Sequence, residues 1–502
     1  MSVWNSVSDF PSSRPEVYLG IDLGTSSVKA VIVDDGETVV AQASAPLTVS
    51  RPQPLFSEQN AQDWWQAAVE SMLRLPAAAR AAVRAIGLSG QMHGATLLDA
   101  ADLPLRPAIL WNDGRSGAEC LELERREPRA RAITGNIMMP GFTAPKVLWV
   151  ARHEPALFAR LAAVLLPKDY LRLKLTGERV SEMSDASGTG WLDVARRDWS
   201  EAMLAATGLG RHNMPRLVEG NAVSGQLTTQ VAEQLGMNRV PVAGGAGDNA
   251  ASAVGMGIIA PGQSFLSLGT SGVLFAVTDR FRPNPQRAAH AFCHALPGRW
   301  HQMAVLLSAA SALDWVAQLL GATDLVALVE SAEARGLRSD SPYFLPYLSG
   351  ERTPHNDPHA RGVFFGLTHE SGPADLVAAV LEGVALAFAD GLDVLQESGG
   401  EIDEISVTGG GARLAYWGKL LSAALNRPLT YRAGSEIGAA LGAARLARMA
   451  ATGEAPATVC RQPPLVRVVP PDPLLAVLLA GRRGQFVRLY RDLRNLFQES
   501  TR

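Results

Sequence analysis

Apolar positions along the chain follow two periods. Short runs of β-branched and aliphatic residues bounded by Gly, Ser and Thr read as strands, and longer stretches with apolar residues three and four apart read as helices. The first clear run, Ile21-Asp22-Leu23, passes through Gly24-Thr25-Ser26-Ser27 into Val28-Lys29-Ala30-Val31-Ile32-Val33. That is the pattern of a β-hairpin. Asn60 then stands where it can cap a helix reaching Leu73, with Trp64, Trp65, Ala68, Val69 and Met72 as its core stripe. A strand Ala85-Ile86-Gly87-Leu88-Ser89 runs into the polar-tipped segment Gly90-Gln91-Met92-His93-Gly94. Residues 100–240 mix short strands with helices, include a turn at Trp111 to Arg115, and read as elaboration of the first half. Pro241 to Ala246 is apolar and Gly-rich, and Gly247-Asp248-Asn249 opens a helix of small residues. Asp375 to Glu397 places Leu376, Val380, Leu381, Val384, Phe388, Leu392 and Leu395 on one long helix face closed by Gly399-Gly400. Ile405 to Thr408 is a strand ending in Gly409-Gly410-Gly411-Ala412-Arg413. Beyond it, 451–472 is Pro-rich and linker-like, and the final stretch reads as helical with Arg-rich exposed faces.

The opening hairpin occurs twice. Leu266-Ser267-Leu268-Gly269-Thr270-Ser271-Gly272-Val273-Leu274 repeats the strand, the Gly-Thr-Ser turn and the second strand about half a chain later. Either copy alone is an ordinary hairpin; the pair implies two lobes of related build. A turn of Gly, Thr and Ser offers backbone N–H groups and hydroxyls with no bulky side chain in the way, which a phosphate chain needs from its binding loop. Two such turns facing each other would hold a triphosphate from both sides. The first copy carries Asp22 and Lys29 where the second has Ser267 and Leu274, so the charged groups belong to one lobe.

Length and composition fit this picture. The chain has 502 residues, 47% of them hydrophobic and 19% charged, which is enough for two packed cores and too apolar for disorder. A net charge of −3 leaves no field for drawing in nucleic acid. No apolar stretch is long enough to span a membrane. The three cysteines, Cys120, Cys293 and Cys460, are too scattered for a disulfide framework, which favours a reducing, cytoplasmic setting. The expected organisation is a flexible tail (1–15), an N-terminal lobe (16–257), a C-terminal lobe (258–450) and a C-terminal segment (451–502).

These motifs, taken in order from about Val17 to Met449, resemble the carbohydrate kinase family that includes glycerol kinase and gluconokinase. Gly20 to Thr25 is similar to the family's first phosphate motif, Leu268 to Gly272 to its second, and Thr408 to Arg413 to its adenosine motif. Gly141 to Trp149, and the run from Gly362 to Glu382, are similar to its longer signatures, which we read as structural. The resemblance implies an α/β fold of two ribonuclease H-like lobes, of the actin-like ATPase type, flanking a cleft. Within the family, Gln91 to Asp99, Ile109 to Arg115 and Leu348 to Asn356 look like the members that phosphorylate D-xylulose in xylose breakdown. Glycerol kinases carry Arg-Glu where this chain has Met92-His93. Ser252 departs from the family's glycine.

The resemblance assigns roles residue by residue. Asp248 is the candidate general base, kept ionised by the start of its helix; on the bare sequence, a helix-capping Asp is the competing reading. Gln91, Met92, His93, Asp248 and Asn249 are assigned to the sugar, and Thr25, Lys29, Gly269, Thr270, Gly410 and Gly411 to ATP. Asp22 is assigned to Mg2+. A small-molecule sugar is the expected partner, with a homodimer left open and neither nucleic acid nor membrane expected. Two alternatives stay in view: a kinase for another sugar or polyol, such as ribulose or gluconate, and a nucleotide-dependent switch without enzymatic activity.

Overall fold

The computed structural model describes residues 16–434 and 438–499; the segment 1–15, read above as a tail, lies outside the described residues. Two seven-stranded sheets organise the chain. In the first, β1 (Val17–Leu23), β2 (Ser27–Asp34) and β3 (Val39–Pro46) form an antiparallel meander. Helix α1 (Ala61–Leu73) follows, capped by the Asn60 side chain, with Trp64 fully buried and Trp65 only partly. Strand β4 (Val83–Gly90) runs parallel to β1 on its free side. Strands β5 (Val223–Gln226) and β6 (Pro241–Ala243) complete the row, β6 parallel to β4 and β5 antiparallel at the edge. Helix α2 (Asp248–Gly255) leaves this sheet.

The second sheet repeats the first. Strands β7 (Gln263–Leu268) and β8 (Gly272–Thr278) are the second hairpin, with β9 (His290–Cys293) and β10 (Trp300–Leu306) extending it antiparallel. After α3 (Pro373–Glu397), β11 (Glu404–Thr408) lies parallel to β7 and β12 (Leu429–Arg432) parallel to β11. Reading across, β3-β2-β1-β4-β6-β5 matches β10-β8-β7-β11-β12-β13 strand for strand and direction for direction, once β13 (Leu465–Val469) is included. These are the two ribonuclease H-like lobes that the family resemblance implied, and the repeated hairpin opens each of them.

Three details differ from the sequence reading. The first turn holds one more residue than the second: Leu23 pairs with Val28, but Leu268 pairs with Gly272. The partner of Ser267 is therefore Val273, while Asp22 faces Lys29. The Pro-rich stretch is more than a linker, because its β-branched core Leu465–Val469 pairs with β12 as an edge strand. In the closing helix Pro473–Glu499, Arg482 is buried rather than exposed, bound through both Nε and Nη2 to Glu382 on α3.

Helix α4 (Gly438–Thr452) crosses from the second half onto the first sheet. Its backbone lies so close that a Cβ at Gly20 on β1 or at Gly87 on β4 would collide with the carbonyls of Ala440 and Ala443. Gly255 and Gly442 make the same approach between α2 and α4. Ser252, the departure noted above, is accommodated because it faces Gly438 at 3.7 Å from where a Cβ would stand there. The crossing fixes α2, and so fixes Asp248. Among the described residues no helix is long and apolar enough to cross a membrane.

Candidate active site

Two adjoining cavities lie where the sheets face each other. The larger, about 650 Å³, is lined by Asp22 and Lys29 of the first hairpin, Ser267 of the second, Ser252 and Asn249 of α2, and Gly409, Gly410 and Arg413 after β11. The smaller, about 290 Å³, is lined by Met92, His93, Asp248 and Asn249 from the first half and by Ser267, Ser271, Val273, His290 and Arg352 from the second. Asn249 and Ser267 border both. The two cavities therefore adjoin at that wall, with Asp22 lining the larger and Asp248 the smaller.

Strand ends place these carboxylates. Asp22 is the penultimate residue of β1, and a short strand, Ala246–Gly247, pairs with the end of the neighbouring β4 before the chain turns into α2. Gly247 occupies the cap position of α2, and its amide is held by Ser184 Oγ at 3.1 Å. A side chain at 247 would reach Met92, 2.9 Å from its Cγ. Asp248 is thus the first helical residue and not the cap. Its Oδ1 accepts the Asn249 backbone N–H at 2.7 Å and the Asn249 Nδ2 at 3.0 Å.

Burial pushes the Asp248 carboxyl up to about 7, with the negative charge of Asp22 as the next cause; the Asn249 hydrogen bonds oppose the rise. The expectation was that the helix start keeps this group ionised; lost hydration and a like-charged neighbour instead favour its protonated form. Asp22 is itself raised by burial, partly offset by the Ser89 hydroxyl at 2.9 Å and by Lys29.

His93 sits at φ 68°, uncommon for a residue with a Cβ. Three hydrogen bonds hold it there: its carbonyl accepts Lys146 Nζ at 2.9 Å and Thr143 Oγ1 at 3.1 Å, and its Nδ1 donates to the Gly188 carbonyl at 2.6 Å. Burial lowers the ring to about 3, so it is neutral and its Nε2 is an acceptor. Lys146 also binds the Gly141 carbonyl at 2.6 Å, and Gly141 and Phe142 line the smaller cavity, so the Gly141–Trp149 stretch read as structural also supplies cavity wall.

The remaining assigned residues fall into two groups. Met92, Lys29 and Gly410 line a cavity. Gln91 and Thr25 stand behind the wall: Thr25 Oγ1 donates to Gln91 Oε1 at 2.9 Å and accepts Trp111 Nε1 at 3.0 Å, which steadies a tryptophan that does line the smaller cavity. Gly269 and Thr270 offer their carbonyls to the amides of Ala310 and Ala309, at 2.8 and 3.0 Å, fastening the second turn to the following helix. Gly411 is packing space, where a Cβ would lie 2.7 Å from Leu268 and 3.1 Å from Trp417. Sequence reasoning passed over Ser252, Ser271, His290 and Arg352 as site residues. The Leu348 to Asn356 resemblance contained Arg352, and was the one available signal for it.

Among the described residues no cluster of three or more His, Cys, Asp or Glu could hold a metal by itself. Asp22 and Asp248 are two carboxylates that each carry a raised proton affinity at one cavity junction. That donor set suits a cation which keeps most of its water and takes phosphate oxygens for the rest.

Comparison with known proteins gives a family match over both halves. The model of the FGGY family of carbohydrate kinases, N-terminal domain, matches residues 17–255, and that of the C-terminal domain matches 265–451. The chain is 54% identical over 479 residues to the xylulose kinase of Escherichia coli (strain K12), covering 95% of this chain and 99% of that one. It is 53% identical over 482 residues to the xylulose kinase of Klebsiella pneumoniae, covering 96% and 100%. Among solved structures, a protein from Brucella ovis named as a xyloylose kinase superposes with a TM-score of 0.93 at 52% identity, covering 96% of this chain and all (100%) of that one.

Proposed function

The chain belongs to the FGGY family of carbohydrate kinases, and from that premise we propose that it transfers the γ-phosphoryl group of ATP to the 5-hydroxyl of D-xylulose. The observation that carries this reading is the wall shared by the two cavities, where Asn249 and Ser267 face both spaces and Asp248 borders the smaller one. Full-length identity above one half to two curated xylulose kinases selects the sugar.

Phosphoryl transfer asks for an aligned nucleophile, donors around the spreading charge and little covalent help. ATP would lie in the larger cavity, its base end toward Gly409 and Gly410 and its triphosphate toward Asp22, Lys29 and Ser267. Asp248 accepts the proton of the sugar hydroxyl, and its pKa near 7 suits that task at neutral pH, because a base works best when its pKa lies close to the working pH. Asn249 keeps one carboxylate oxygen occupied, which leaves the other oxygen for the hydroxyl. Neutral His93 presents Nε2 to a second sugar hydroxyl.

Mg2+ would be held by Asp22 through water and by phosphate oxygens, and would supply neutralisation of the phosphate charge. Lys29, directly across the ladder from Asp22, adds positive charge on the same side of the hairpin. The three free cysteines, all buried, support a cytoplasmic setting. A nucleotide switch has no use for the second, polar-lined cavity, and is not favoured.

The test is a panel of D-xylulose, D-ribulose, gluconate and glycerol with coupled detection of ADP, followed by location of the new phosphate by NMR. D-Xylulose should give the highest kcat/KM and carry phosphate on C5. A higher kcat/KM for any of the others would overturn the choice of sugar.

A further inference from the structure

We propose that Arg352 reads the carbonyl end of the sugar and makes this kinase prefer a ketose to the corresponding polyol. The inference rests on the D-xylulose reading and assigns the end of the pocket opposite to the chemistry.

The hydroxyl to be phosphorylated must lie at the shared wall beside Asp248, so the rest of the sugar extends into the smaller cavity, away from ATP. Rings form that far part: His93 and Phe142 have centroids 5.0 Å apart, and Phe142 and His290 are 5.7 Å apart. Arg352 enters from the second lobe and joins this group, with its Nη1 3.3 Å from His290 Nε2. The direction of that bond is fixed from behind. Asn136 Nδ2 donates to the carbonyls of Thr134 and Ala291, at 2.7 and 3.1 Å, so Asn136 Oδ1 is left as an acceptor. His290 Nδ1 donates to it at 2.9 Å, and Nε2 then accepts from Arg352.

The backbone carrying Arg352 is equally held. Glu351 Oε1 accepts the Arg352 amide at 2.7 Å and the Leu307 amide at 2.9 Å. The Arg352 guanidinium itself makes no ion pair among the described residues, and its only side-chain hydrogen bond there is the one to His290. Most of its N–H groups therefore remain for a ligand in the cavity that it lines.

A guanidinium offers donors only, in a fixed planar fork. It suits the carbonyl oxygen at C2, which accepts and has no proton of its own to place. A polyol brings to the same place a hydroxyl whose proton has no acceptor on a guanidinium, so the polyol gains less there. His290 and Asn136 act through Arg352 and are positioning residues.

The experiment measures, for Arg352→Gln and Arg352→Lys, the KM for D-xylulose and the inhibition constant of xylitol, which has a hydroxyl in place of the C2 carbonyl. In both variants the KM should rise, by about 10- to 100-fold in the Gln variant, the range for losing a hydrogen bond to a charged group. The xylitol constant should move less than about threefold. Added guanidinium ion should lower the raised KM of Arg352→Ala. Equal losses for ketose and polyol in a variant that melts like the parent, or an unchanged KM, would overturn the inference. If the Gln variant fails to fold, the Lys variant decides by the same ratio. A parent enzyme inactive on D-xylulose would instead contradict the proposed function, which separates the two failures.

Discussion

Asp22 and Asp248 repel each other across the junction of the two cavities: after burial, the charge of Asp22 is the largest cause holding the Asp248 carboxyl near 7. The pair comes from the ends of two strands that flank β4 in one sheet, Asp22 from β1 and Asp248 just after the short strand on the other side of β4, which is where α/β folds collect their ligands. A protonated Asp248 cannot accept the sugar's proton, and an ionised one invites a cation between the two carboxylates.

The first consequence is a pH dependence. The kcat/KM for D-xylulose should fall about tenfold per pH unit below an apparent pKa near 7, since this ratio reports the free enzyme. In Asp22→Asn the limb should move to lower pH, because the repelling charge is gone. A pH–rate series on both proteins checks the shift, independently of any loss in absolute rate.

Stability should show the same carboxyl with the opposite sign. Between about pH 4 and 7 the unfolded chain has released the Asp248 proton and the folded chain retains it, so folding loses stability as pH rises through that window. Above pH 7 the cost is complete, and Asp248→Asn should be more stable than the parent by up to about 4 kcal/mol, each tenfold change in proton affinity being worth ~1.4 kcal/mol. Urea denaturation at pH 8 and pH 5 should find the gap narrowing at the lower pH.

Metal removal gives a third test. With EDTA in excess, turnover should disappear and return with Mg2+. Asp22→Asn should raise the Mg2+ concentration needed for half-maximal rate while Asp248→Asn leaves that concentration closer to the parent's. An activity indifferent to EDTA would remove the role assigned to Asp22.

Glycines at two places should separate packing from binding. Gly87→Ala places a Cβ against the Ala443 carbonyl of α4 and should cost about 3 kcal/mol of stability, at the upper end for overpacking against backbone. Gly410→Ala meets nothing within 4 Å and borders the larger cavity, so its melting point should match the parent while its KM for ATP rises. Thermal melts and steady-state kinetics on the two variants decide between these outcomes.

How far the site could be read from the sequence depended on how local its signal was. The duplicated hairpin, the helix behind Asn60 and the strand before Gly90 rest on period and turn residues within a dozen positions, and each stands where the sequence put it. The one-residue difference between the two turns was invisible, because Gly-Thr-Ser aligns in both copies and only the ladder shows that Ser267 pairs with Val273. Gln91 looked like a contact because it precedes Met92-His93, yet its side chain faces Gln59 and Thr25. His290 and Arg352 come from the other lobe, and no spacing along the chain announces that they meet Phe142 and His93. The raised proton affinity of Asp248 was likewise out of reach, since it depends on burial and on a charge more than two hundred positions away.

The most direct test is the kcat/KM of Asp248→Asn for D-xylulose at pH 7.5, with ATP binding measured on the same sample. A loss of at least about 10²–10⁴-fold is expected, the span for removing a general base, with ATP affinity little changed. Near-parental turnover in a variant that binds ATP normally would contradict the role of Asp248 and, with it, the chemistry placed at the junction of the two cavities.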